Sequence, residues 1–273
     1  MGKVDKMTRN VEQNAKPAMD FIEILERSSK PRTSGLTLIH DPGFGLQMVR
    51  AHLETAAPYL DYAKMRNVTP RLFPESLLRD KIALYREFEV ELMFGGIVFE
   101  MAYLQGNVDK AIAYATQVGV KTVEISENLI SLPMEVKRNF VRRYCDKGLE
   151  VFYEVGKKFP TELLEPSRLA DEIHQFIADG VSKIILEQAE LSLLFKSEAG
   201  TAVLKQLVSA VNPDLIIFET GNSEEEVWLI NELGPDVNLG PNIKLDQVVW
   251  LEPTRRGLGR ASGYTALTKY LHA

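Results

Sequence analysis

The segment from Thr122 to Thr220 decides the fold: TVEIS (Thr122–Ser126), EVFYEVGKK (Glu150–Lys158), KIILEQAE (Lys183–Glu190) and LIIFET (Leu215–Thr220). Each is a short apolar run that ends on glutamate, and helical periodicity fills the gaps, as in Met134–Cys145, Ser167–Ala178 and Ala202–Val211. Strand, helix, strand in regular succession is the pattern of βα units on a parallel sheet. Working outward, the same pattern places further strands at Leu36–His40, Leu60–Lys64, Val90–Gly95 and Asp236–Leu239, with the central strands at Thr122–Ser126, Glu150–Val155, Lys183–Glu187 and Leu215–Glu219. Eight units with right-handed crossovers close into a (β/α)8 TIM barrel spanning residues 35–273 as a single domain. Residues 1–34 are expected to form an arm with an amphipathic helix at Ala18–Leu25 that covers the barrel's floor or joins a subunit interface. Ser223-Glu224-Glu225-Glu226 reads as a capping box opening the seventh helix, and Tyr264–Tyr270 as a short terminal helix.

Composition fits this architecture. The 273 residues, 45% hydrophobic and 26% charged, suffice for one large core. A net charge of −6 argues against nucleic acid as a partner, since phosphate-backbone contact requires a basic surface. No apolar run reaches the roughly 20 residues of a membrane helix, and the polar start has no apolar signal core, so the expectation is a cytoplasmic protein without membrane contact. The single cysteine, Cys145, late in its helix, excludes an intramolecular disulfide and suits a reducing compartment. Homo-oligomerisation stays open.

In a barrel of this kind the reactive groups gather at the carboxyl ends of the strands. Glu124, Glu154, Glu187 and Glu219 end four successive strands, so their carboxylates converge, and such a cluster calls for a hard cation such as Mg²⁺ or for neighbouring lysines. Lys157 and Lys158 follow the fifth strand, Lys64 ends the second and Asp41 follows the first. Each has a plainer alternative: a strand-end glutamate can turn outward to a surface lysine, and of two adjacent lysines on an extended chain only one enters the site. Gly95-Gly96 marks either a tight turn or a close approach of backbone to ligand. The four histidines have no metal-ligand spacing; His40 alone stands at a strand end, and no role is assigned to it.

GLTLIHDPG (Gly35–Gly43), FGGIVFE (Phe94–Glu100), VEIS (Val123–Ser126), EVGKK (Glu154–Lys158), PDVNLGPNI (Pro235–Ile243) and LEPTRRGL (Leu251–Leu258), in this order, resemble the phosphosulfolactate synthase family, barrel enzymes that add sulfite to phosphoenolpyruvate with Mg²⁺ on a route toward coenzyme M. The resemblance runs from about Pro31 to Gly259. It implies a lyase acting on a small anionic substrate, with the proton donor in EVGKK at Lys158 or Lys157. On this reading Glu124, Glu154 and Glu187 hold Mg²⁺, Asp41 and Lys64 bind substrate, and Arg255 or Arg256 binds phosphate.

Four segments depart from the family's pattern. KFGWGTS of the family is Lys64-Met65-Arg66-Asn67-Val68-Thr69-Pro70 here; EGRESG is Glu187-Gln188-Ala189-Glu190-Leu191-Ser192, without the arginine. EAP is Glu219-Thr220-Gly221, followed by the acids Glu224–Glu226, and GLRGDT is Gly257-Leu258-Gly259-Arg260-Ala261-Ser262. Retained acid and base groups beside altered anion contacts imply a changed substrate, hence either a sister enzyme using another enol acid or nucleophile, or a non-catalytic barrel with a binding or stress-protection role.

Overall fold

The computed structural model describes residues 17–268. Eight parallel strands close on one another in sequence order. They are β1 (Thr37–Asp41), β2 (Tyr62–Met65), β3 (Glu91–Phe94), β4 (Thr122–Ile125), β5 (Glu150–Val155), β6 (Val181–Leu186), β7 (Ile216–Phe218) and β8 (Asn238–Ile243). The outer ring is α1 (Leu46–Ala56), α2 (Glu75–Glu87), α3 (Gly96–Leu104), α4 (Val108–Val118), α5 (Met134–Cys145), α6 (Pro166–Ala178), α7 (Gln188–Lys196), α8 (Gly200–Ala210), α9 (Ser223–Leu233) and α10 (Val248–Arg255). The crossovers after β3 and β6 each carry two helices. The (β/α)8 barrel expected from the periodicity is the fold observed.

Alternation along the strands sorts the side chains into two cores. Leu36, Leu38, Met93, Phe152, Ile185 and Ile217 point inward and fill the barrel's centre. The residues between them, such as Ile39, Ala63, Val123, Val151, Ile184 and Ile216, point outward and pack with the helices. The next inward positions toward the carboxyl ends are polar: His40, Lys64, Glu124, Glu154, Glu187, Glu219 and Asn242. An apolar plug thus lies below and an ionisable layer above, which is what makes the mouth a site.

Several sequence-based boundaries move. The eighth strand is Asn238–Ile243 rather than Asp236–Leu239, four residues further along at its carboxyl end. Asn222, one residue before the expected Ser223, caps α9: its side chain accepts from the Glu224 and Glu225 amides, at 3.0 Å each. Ala18–Leu25 is not helical. Met19 adopts a left-handed φ of 56° in a turn, and Met19, Phe21, Ile22, Ile24 and Leu25 are exposed, so no surface receives the apolar face such a helix needs. In the tail only a 3-10 turn forms, at Thr265–Leu267, and the part beyond Thr268 lies outside the described residues, as does the arm before residue 17. Among the described residues no helix is long and apolar enough to cross a membrane.

The floor is tied by cations from the irregular segment that precedes β1. Arg27 pairs with Glu252 and with Asp236 at 3.5 Å, and donates to the Gly35 carbonyl at 2.8 Å. Lys30 donates to the carbonyls of Ala57 (3.0 Å) and Leu60 (2.7 Å), and Arg32 meets Asp61 at 2.9 Å. The Arg27 and Lys30 bonds to Gly35, Ala57 and Leu60 tie this segment to the backbone just ahead of β1 and β2.

Candidate active site

At the mouth Lys64 is buried and its Nζ lies 2.6 Å from Glu124 Oε2. Glu124 Oε1 accepts from the Gly96 amide at 3.0 Å, at the first turn of α3. Glycine is required there: a Cβ on Gly96 would stand 2.1 Å from Ser126 Oγ and 2.9 Å from Glu124 Oε1. Burial by itself would lower the Lys64 ammonium, but Glu124, Glu219 and Glu154 outweigh it and hold the group above the usual lysine range.

EVGKK owes its shape to Gly156, whose φ of 113° turns the chain over the barrel rim. A Cβ at that position would meet Glu190 Cγ at 2.8 Å and Glu187 Cβ at 2.9 Å. The turn separates the two lysines. Lys157 stays at the surface, its backbone amide donating to Glu190 Oε1 at 2.9 Å, while Lys158 Nζ reaches over the mouth to contact Glu187 and lies 3.6 Å from Glu154. The Lys158 side chain retains 39% exposure. Desolvation pulls its ammonium down, yet Glu154, Glu187 and Glu219 more than reverse this, so it stays protonated at neutral pH.

Glu154, Glu187 and Glu219 place carboxylate oxygens within 4.8 Å of one another. Burial raises Glu154 well above the carboxylate range, and Glu124 and Glu219 add to the effect while Lys64 opposes it. Burial raises Glu219 as well, Lys64 again opposing. Glu219 Oε2 is buried without a hydrogen-bond partner. Ionised together, four inward carboxylates would outnumber the two lysines, and without a cation the excess is relieved by Glu154 and Glu219 holding their protons longer. All three clustered donors are oxygens, the set a hard divalent cation takes, and ligands about 2.1 Å from Mg²⁺ stand roughly 3–4 Å apart, compatible with this cluster. The residues present fit the group.

Three expected site residues are placed elsewhere. Asp41 falls one step out of phase with the inward set and turns into the barrel wall, where it pairs with Lys81 at 2.7 Å, accepts from Tyr85 Oη at 2.9 Å and caps the amides of Gly43 and Phe44. All its lone pairs are engaged, so it shapes the β1–α1 loop and has nothing left for substrate. Arg255 is at the opposite end: α10 runs antiparallel to the strands and carries it to the floor, where it donates to the carbonyls of Pro235 (2.7 Å), Val237 (2.6 Å) and Leu36 (3.3 Å). Arg256, beside it, donates to the Leu25 carbonyl and lies 3.5 Å from Glu252. Neither arginine reaches a phosphate at the mouth. Glu124, expected among the metal ligands, is committed to Lys64 and Gly96, and Glu219 takes its place in the carboxylate cluster. The signal for Glu219 was present, as the fourth strand-end glutamate.

Sequence reading left His40 without a role. Counting by twos from Leu36 and Leu38 brings it inward, between Lys64 on β2 and Asn242 on β8. Burial and the nearby Lys64, Arg66 and Lys158 depress its pKa to about 3, so the imidazole is neutral.

A family model for (2R)-phospho-3-sulfolactate synthase (ComA) matches residues 25–260. The phosphosulfolactate synthase of Methanothermobacter thermautotrophicus is 33% identical over 248 residues, which is 88% of this chain and 95% of that protein. The phosphosulfolactate synthase of Bacillus subtilis is 29% identical, over 88% of this chain and 96% of its own. Protein HEAT-STRESS-ASSOCIATED 32 of Arabidopsis thaliana is 21% identical over 88% of this chain and 92% of its own. Among solved structures the YdjI aldolase of Escherichia coli superposes with a TM-score of 0.53 at 12% identity, covering 86% of this chain and 91% of that one, a likeness of fold alone.

Proposed function

The chain belongs to the phosphosulfolactate synthase family, and from that premise we propose that it is a lyase adding a nucleophile, sulfite in the family, to the methylene carbon of phosphoenolpyruvate or a related enol acid with Mg²⁺. The observation that carries this reading is the cluster of Glu154, Glu187 and Glu219 oxygens, with the buried Glu219 Oε2 left unpartnered among them, beside a protonated lysine.

Glu154, Glu187 and Glu219 would hold the cation. Once bound, Mg²⁺ supplies positive charge against the enolate-like oxygens that develop during addition. The chain's own groups account for the rest. Attack by the nucleophile's lone pair forms the bond to the methylene carbon and pushes the double-bond pair onto the neighbouring carbon, next to the carboxylate. Lys158 Nζ delivers a proton to that carbon. Its carboxylate neighbours keep it charged until that step, and its partial exposure lets solvent reprotonate it afterwards. Lys64, fixed by Glu124, presents a second positive charge to the substrate carboxylate.

The end of β6 favours a sister reading for the substrate. Where the family carries an arginine this chain has Ala189, and the α7 amino terminus is occupied by Glu187, which accepts from the Ala189 amide at 3.5 Å. One anion contact of the family is therefore missing, and sulfite addition is expected to run below about 1 s⁻¹, the low end of enzymatic turnover. Phosphorus NMR tests both points. Protein, phosphoenolpyruvate and Mg²⁺ are incubated with sulfite and with a panel of other nucleophiles, omitting each component in turn. A phosphorylated adduct that needs every component supports the reaction; an unchanged enol acid across the whole panel overturns it.

A further inference from the structure

The mouth is divided by charge. Glu154, Glu187 and Glu219 occupy the β5–β7 side, whereas β8, β1 and β2 bring Asn242, His40 and Lys64 into one inward layer. Arg66 extends that second side. It follows Lys64 by two residues, and its amide continues the ladder by donating to the Asp41 carbonyl at 3.1 Å, so Tyr62, Lys64 and Arg66 share the inward phase. The side chain is exposed at the rim, and no carboxylate among the described residues pairs with its guanidinium. Its positive charge is felt at His40. Arg260, the other arginine near a departure from the family's pattern, follows α10 on the floor and cannot contribute.

We propose that Arg66, His40 and Asn242 form an oxyanion subsite for the substrate's phosphoryl group, in place of the arginine missing at Ala189. The β5–β7 carboxylates are engaged by the cation that would sit among them, whereas the β8–β1–β2 corner offers a free guanidinium fork, which binds phosphate oxygens in bidentate fashion, and neutral polar groups that add directional contacts. The neutral imidazole neither repels Lys64 nor needs a counter-ion. The placement rests on the enol-phosphate reading given above, but binding can be measured without turnover.

Inorganic phosphate is the probe, titrated by calorimetry into the full-length protein with chelator present, so that no cation at the carboxylates contributes. Wild-type protein is expected to bind it, and Arg66→Met to weaken binding by about tenfold or more, the scale of one charge-assisted contact. Arg66→Lys is expected to fall between them, because lysine keeps the charge and loses the fork. Arg66 is exposed, so the variant tests binding without endangering the fold. Equal affinity in wild type and Arg66→Met, or no phosphate binding by wild type at millimolar concentration, overturns the subsite. The two readings fail separately. Adduct formation with an unaffected Arg66→Met sinks the subsite alone, and phosphate binding lost in Arg66→Met without turnover of any enol acid sinks the reaction alone.

Discussion

Replacing Asp41 by asparagine keeps the side chain's shape and removes its charge, leaving Lys81, 1% exposed, as an uncompensated cation in the barrel wall. Losing one partner of a buried pair costs about 3–5 kcal/mol. Asp41→Asn is accordingly expected to lower unfolding free energy in urea by that order; an unchanged midpoint would show that the pair is dispensable. Lys158 is the opposite case. Its charge is half-exposed and contributes little to stability, whereas a positioned proton donor is worth about 10²–10⁴-fold in rate. Lys158→Ala should retain the wild-type melting curve and lose turnover on that scale in the phosphorus NMR assay, and Lys157→Ala should leave turnover within about twofold. Reversed outcomes would move the role to Lys157.

At the scale of the element, α9 carries three acids in its first turn, and Glu225 and Glu226 are buried. Burial, aided by Glu225 and incompletely offset by Arg255, raises Glu226 from 4.5 to about 7. A folded pKa above the unfolded one means that the native state holds the proton longer. The stability it contributes is present at low pH and is lost as pH rises from about 4.5 through about 7, on the order of 3 kcal/mol in all. Glu226→Gln should therefore melt higher than wild type at pH 8, with the gain vanishing toward pH 4.5; a gain independent of pH would exclude this ionisation as the cause. Elements were also where the sequence was legible. β5 and α5 keep the bounds their periodicity implied, because apolar spacing of two or of 3.6 is enforced along the whole element. Phase at an element's end was not legible. Asp41 was expected at the mouth and lies one residue past the inward set, while His40 lies in it. The shift of β8 to Asn238–Ile243 moves the following loop to Lys244–Gln247, and Arg255 and Arg256, expected to bind phosphate after the eighth strand, are returned to the floor by α10. Glu154 and Lys158 were legible because EVGKK sits immediately at a strand end whose position was right.

For the molecule as a whole, Mg²⁺ at the carboxylate cluster would couple a local charge balance to global stability, since a ligand bound only by the folded state adds about 2.7 kcal/mol at a hundred times its dissociation constant. The melting temperature should rise with Mg²⁺ concentration, and Glu219→Gln should abolish most of the rise; a magnesium-independent melting curve would remove the cation from the site. The opposite end of the barrel has its own whole-chain logic. Arg27 and Glu252 are 225 positions apart along the chain, yet they meet beneath the strands. During synthesis on a ribosome the arginine emerges before its acid and waits through seven βα units for β8 and α10 to follow. Until then the floor carbonyls that Arg27 and Arg255 cover are open to water, and a nascent chain stalled short of α10 presents an unsealed base to chaperones and proteases.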